Sequence, residues 1–116
     1  MLEFLARFKG YNGGDEYPTM EECFCEKKYP FQDEIYNYIL KCPDNDELIA
    51  MPSIERDMFT GKTIGSSTYN VIFEKDGYQW RNNLAYYIKQ YNLRLPKKAE
   101  DWVLKQINLL KTPNDK

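Results

Sequence analysis

The chain has 116 residues, a formal net charge of −2 and no histidine, the size of one ordinary domain. Leu, Ile, Val and Phe supply 26 of those residues, just above the share below which chains tend to stay unfolded. A pI near 5.2 excludes a generally polybasic binder of nucleic acid or membranes. No apolar run approaches the roughly 20 residues of a transmembrane helix, and the charges at Glu3 and Arg7 come too early for a secretory signal. The expectation is a cytoplasmic protein with one domain over 1–116, an N-terminal segment over 1–9 and a frayed tail over 112–116.

In chain order, Leu2, Leu5 and Phe8 approximate a helical stripe, with a strand start as the alternative. Gly10, Asn12, Gly13 and Gly14 mark a loop, since these residues tolerate positive φ. Thr19 with Glu22 three residues on is a capping box and predicts a short helix that must end before Pro30. Phe31, Ile35, Tyr38, Ile39 and Cys42 share one helical face. Pro43 ends that helix, and Leu48, Ile49, Ala50 and Met51 read as a short buried strand. The polar segment 53–68 reads as a loose hairpin or a long loop. Tyr69, Val71 and Phe73 alternate with polar or outward positions before Asp76-Gly77, the preferred type I′ hairpin turn. Counting across that turn pairs Lys75 with Tyr78 and Phe73 with Trp80. Asn82 or Asn83 caps a helix with Leu84, Ile88 and Tyr91 inward. Pro96 opens a last helix whose stripe is Ala99, Trp102, Val103, Ile107 and Leu110. Trp102, Phe73 and Trp80 are expected in the core against the helix over 31–42. The element order predicts an α+β fold, a small antiparallel sheet of three or four strands packed against helices.

Chemistry is limited by what is missing. Without histidine there is no Ser-His or Cys-His nucleophile, no histidine acid–base pair and no facial-triad iron site. Cys23, Cys25 and Cys42 are an odd number without zinc-ligand spacing, and read as reduced structural thiols. Gly61-Lys62-Thr63 has the end of a phosphate loop, but Arg56 stands where the first glycine is needed, so a plain turn is favoured. Gly10, Gly13 and Gly14 do not fit a dinucleotide fingerprint, and Ser53, Ser66 and Ser67 lie outside any nucleophile elbow. Nothing singles out two carboxylates for glycoside hydrolysis. A helix-turn-helix over 84–107, with Lys97, Lys98 and Lys105 on phosphates, is disfavoured because Trp102 and Val103 belong to a core stripe. No catalytic residue, metal ligand or cofactor is expected.

Charge is unevenly distributed. Residues 1–58 carry 6 Lys/Arg and 13 Asp/Glu, a net of −7, and residues 59–116 carry a net of +5. Asp15, Glu16, Glu21, Glu22, Asp44, Asp46 and Glu47 concentrate the acid. Such a surface steers a basic partner, for instance a nuclease; the competing reading places the same carboxylates against the basic half within the fold. Ten tyrosines point the same way, because Tyr is enriched in recognition surfaces; Tyr11 and Tyr17 lie in loops and join the candidate binding residues. Base stacking is the rival use, but the acidic half repels a phosphate backbone.

The stretches Trp80-Arg81-Asn82-Asn83-Leu84-Ala85-Tyr86-Tyr87-Ile88, Tyr91-Asn92-Leu93-Arg94-Leu95-Pro96 and Arg56-Asp57-Met58-Phe59-Thr60-Gly61 resemble short uncharacterised proteins of Gram-positive bacteria. The resemblance implies a bacterial or mobile-element setting, in which small proteins are often immunity proteins, antitoxins or phage-encoded inhibitors, and it transfers no site residue. The expectation is a non-enzymatic protein-binding module that occludes its partner stoichiometrically. The alternatives are a nucleic-acid accessory protein using the basic half, and an enzyme with a carboxylate site that the sequence does not reveal.

Overall fold

The computed structural model describes residues 3–43, 48–50, 55–64, 68–69 and 71–111. Its elements are β1 (Glu3–Phe4), a 3₁₀ turn (Glu21–Cys23), α1 (Gln32–Lys41), β2 (Leu48–Ala50), β3 (Val71–Lys75), β4 (Tyr78–Arg81), α2 (Asn83–Tyr91) and α3 (Lys97–Lys111). The fold is α+β: a four-stranded sheet in the order β1-β4-β3-β2 with helices packed against it. The candidate stretch 44–47 and the tail 112–116 lie outside the described residues.

The hairpin forms as its turn chemistry requires. Asp76 and Gly77 both take positive φ (53° and 84°), and Lys75 pairs with Tyr78 and Phe73 with Trp80. That register puts Phe73 and Trp80 on the buried face, ring centroids 5.9 Å apart. The sheet is antiparallel across β2, β3 and β4, but β1 joins β4 in parallel, correcting the expectation of an all-antiparallel sheet. The chain between β1 and β4 is long enough for the crossover that a parallel pair needs.

α1 buries Gln32, Ile35, Tyr38 and Ile39. Phe31 is not on its inner stripe: it precedes the helix with φ 66° and is 54% exposed. Gln32 takes the inward place because it bonds three groups there. Its carbonyl accepts from Tyr29 N–H, and its amide nitrogen donates to Ile88 O and Asn92 Oδ1.

The helix expected after Thr19 is a single 3₁₀ turn. The capping box itself is present: Thr19 N–H donates to the Glu22 carboxylate and Glu22 N–H to Thr19 Oγ1. No apolar stripe of helical period follows it, so the chain extends instead, bridging Phe24 to Leu93.

α2 starts after Asn82, whose side chain does not cap it. The Asn82 amide accepts from Val71 N–H and donates to Leu40 O and Thr68 O, tying hairpin, α1 and α2 together. Asn92 ends α2 in the left-handed conformation (φ 55°), which Asn tolerates better than most residues. On α3, Ala99 and Val103 are buried, but Trp102 and Ile107 are only half-buried and Leu110 is 45% exposed. The stripe therefore leaves the core along its length, and Trp102 sits at the edge, against Tyr78, Trp80 and Tyr38.

No disulfide joins the three cysteines; Cys42 is buried and Cys23 and Cys25 are half-buried. Burial pushes the Cys23 thiol up, helped by nearby Glu22. Cys42→Ala is expected to cost about 1–2 kcal/mol in urea melts. The double change Cys23→Ser with Cys25→Ser is expected to cost under about 1 kcal/mol. A larger effect for the double change would assign those two thiols more than a filling role.

Candidate functional site

The most organised surface feature is built by the segment expected to be loose. Residues 55–64 double back on themselves. Asp57 N–H donates to Lys62 O, Ile64 N–H to Glu55 O and Gly61 N–H to Asp57 O, with Gly61 at φ 75°. The Asp57 carboxylate turns inward and accepts from the backbone N–H groups of Phe59 (2.7 Å) and Thr60 (3.1 Å), the Asx turn that Asp favours. Its other oxygen accepts from Tyr86 Oη at 2.7 Å and Tyr91 Oη at 2.5 Å. Tyr87 completes the brace, its Oη accepting from Met58 N–H at 2.9 Å. Three tyrosines of α2 thus hold one turn.

The electrostatics follow from this wiring. Asp57 is 1% exposed, and burial alone would raise its pKa. The Tyr91 and Tyr86 hydroxyls and the two N–H groups outweigh burial and hold the carboxyl below the usual range. The same bond pushes the Tyr91 phenol up to about 12, with burial adding to it. Burial and then Asp57 raise Tyr86 further. These phenols are donors, not bases, at neutral pH.

The brace presents two apolar side chains outward. Met58 is 43% exposed and Phe59 37%. Phe59 rests edge-on against Phe24, Tyr87 and Tyr91, and Phe24 stacks on Tyr91 at 4.9 Å.

Beside the turn lies a cleft of about 470 Å³. Its floor is a chain of bonds. Tyr11 Oη donates to Asn83 Oδ1 (2.5 Å), Asn83 Nδ2 to Glu55 Oε1 (3.0 Å) and Arg81 Nη2 to Glu55 Oε2 (2.6 Å). Tyr11 is placed by Asn12, which accepts from Phe8 N–H and donates to Ala6 O, closing a turn in which three N–H groups share Phe8 O. Burial holds the Tyr11 phenol far above its ordinary value.

The residues singled out by charge lie elsewhere. Asp15, Glu16, Glu21 and Glu22 are all exposed, Asp15 standing 3.6 Å from Lys9. Asp44, Asp46 and Glu47 lie outside the described residues. Tyr17 is half-buried beneath the Arg7 guanidinium, and Tyr11 faces the cleft with its ring against Tyr87. None of the ten tyrosines is fully exposed. From sequence, Glu55, Asp57, Arg81 and Tyr87 carried no candidate role, and Asn83 only that of a helix cap. Only Asp57 carried a local cue, an Asp two residues before Phe59 and four before Gly61.

Among the described residues, no three Cys, Asp or Glu side chains come close enough to hold a metal ion, and no helix is long and apolar enough to cross a membrane. No family model, curated protein or solved structure matches the chain.

Proposed function

We propose that this chain is a protein-binding module that steers onto a basic partner, such as a nuclease, and occludes it stoichiometrically in the manner of a bacterial immunity or phage-encoded inhibitor protein. The observation that carries this reading is the open acidic stretch: Asp15, Glu16, Glu21, Glu22 and Glu26 are all exposed within a dozen residues. Among the described residues, Asp15 alone of these five is ion-paired, and its partner Lys9 belongs to the acidic half. The described ion pair that crosses between the halves is Glu55–Arg81, away from this stretch. Its charge is therefore not spent on the basic half, which favours encounter with a partner over internal pairing.

The side chains of Glu16 and Glu21 make no described hydrogen bond or ion pair, so Glu16→Lys with Glu21→Lys tests the reading without removing a described side-chain bond. Once a basic partner has been captured from the host, the double change is expected to slow association about tenfold at low salt and to flatten its salt dependence. The urea midpoint should stay put. A lowered midpoint with unchanged association kinetics would return these carboxylates to a structural role.

A further inference from the structure

We infer that the cleft between the Tyr11 turn, the 55–58 arm and the start of α2 is a binding site for a small organic anion, a carboxylate or phosphate carried on an apolar or aromatic body. Three observations point to it. First, the polar floor is wired to itself with one group left over. Tyr11, Asn83 and Glu55 each have a partner, whereas Arg81 Nε is buried and has no hydrogen-bond partner among the described residues. A buried guanidinium N–H without an acceptor is costly and rare. The Arg81 side chain lines the cleft and is 36% exposed, so a small rotation of its guanidinium toward the cleft would let a ligand oxygen satisfy that N–H.

Second, the charge around the cleft has a sign. Arg81 neutralises Glu55, and Arg56 adds a second cation with no second carboxylate among the described lining residues. In a chain of net charge −2, this is a local excess of positive charge beside a low-dielectric wall, where a fork of N–H donors recognises carboxylate and phosphate best.

Third, the remaining walls are mainly apolar, with Phe4, Met58, Trp80 and Leu84 among them and Asn12 at one side. The apolar side chains offer contact to a ring or short chain that a free inorganic ion cannot use. An apolar cleft with a few convergent polar groups is the usual form of a small-molecule site.

The test titrates the ¹⁵N-labelled full chain at low salt with benzoate and with phenyl phosphate, beside benzyl alcohol and inorganic phosphate. The Arg81 Nε–H resonance is followed as the direct reporter. Saturation by about 10 mM is expected for at least one of the two organic anions, given what ligands of this size can reach. Binding should be at least tenfold tighter than for benzyl alcohol or inorganic phosphate, and whichever anion binds more tightly identifies the headgroup. Arg81→Lys keeps the charge but removes Nε, and is expected to weaken binding about tenfold. Glu55→Gln removes the competing carboxylate and is expected to tighten it several-fold, an effect a purely structural ion pair would not give. If Arg81→Lys fails to fold, the wild-type titration and Glu55→Gln decide. No saturable movement of the Arg81 Nε–H signal, or equal binding of benzyl alcohol or inorganic phosphate, overturns the inference. Glu16 and Glu21 lie outside the cleft, so this result and the fate of the protein-partner reading are independent.

Discussion

Asp57→Ala is expected to destabilise the fold by about 3–5 kcal/mol, the range for removing one partner from a buried charged network. The change strands two tyrosine hydroxyls and two backbone N–H groups at once, and each unpaired buried donor costs on the order of 1–3 kcal/mol before relaxation. The same group gives the fold an acid limit whose direction is fixed. Its folded pKa is below its unfolded value of about 3.9, because the hydrogen bonds favour the carboxylate. Its contribution is therefore fully present above that unfolded value and is lost as pH falls through the folded one. Asp57→Asn tests the sign. Urea melts of wild type and variant should differ most above about pH 5 and converge as the solution is acidified. A gap that stays constant down to pH 2 would mean that the charge of Asp57 contributes nothing and that only its shape matters.

Trp80→Ala is expected to cost about 3–5 kcal/mol, the usual range for emptying a large aromatic site in a core. Trp80 is buried among Phe73, Tyr38 and Trp102, and its indole N–H donates to Ile39 O at 2.9 Å, so truncation opens a void and strands a carbonyl of α1. Against a total stability of roughly 5–15 kcal/mol, that change alone brings the domain close to unfolding. Trp102→Ala should cost clearly less, about 1–2 kcal/mol, because Trp102 already keeps part of its ring in water. Guanidinium melts of the two variants give the comparison. Equal losses would show that the aromatic cluster fails as a unit and not at its centre.

The sequence carried the elements whose determinants are local. Asp76-Gly77 sets the hairpin register because only a turn with two positive φ values suits the strand twist. The stripe of Ile35, Tyr38 and Ile39 marks α1 because its period is 3.6 residues. The reading failed where a local cue lacked tertiary support. Thr19 and Glu22 form their reciprocal bonds, yet with no apolar face behind them the helix stops after one turn. It failed again at Phe31, where Gln32, a polar residue, is drawn inward by bonds to residues some 56 and 60 positions away. The cleft was illegible for the same reason. Glu55 finds Arg81 and Asn83, and Asp57 finds Tyr86 and Tyr91, through contacts 26 to 34 positions apart in the chain, which no periodicity encodes. The number of tyrosines alone suggested an outward recognition surface and said nothing of what their hydroxyls bind. The hydroxyls of Tyr11, Tyr29, Tyr86 and Tyr91 serve as donors that reach from helices and loops to groups within the fold.

Six of these phenols, those of Tyr11, Tyr29, Tyr69, Tyr86, Tyr87 and Tyr91, are held above their ordinary value, with burial or a bond to Asp57 as the leading cause. A raised pKa means that the folded chain keeps protons which the unfolded chain releases once the pH passes about 10. The stability these groups contribute is complete below that point and drains away as pH climbs toward their folded values. Several titrate over the same interval, so their losses accumulate. The interior that is well satisfied at neutral pH is therefore a weakness in alkali: base should unfold this protein over a narrow range, with phenolate absorbance rising in step with the loss of structure.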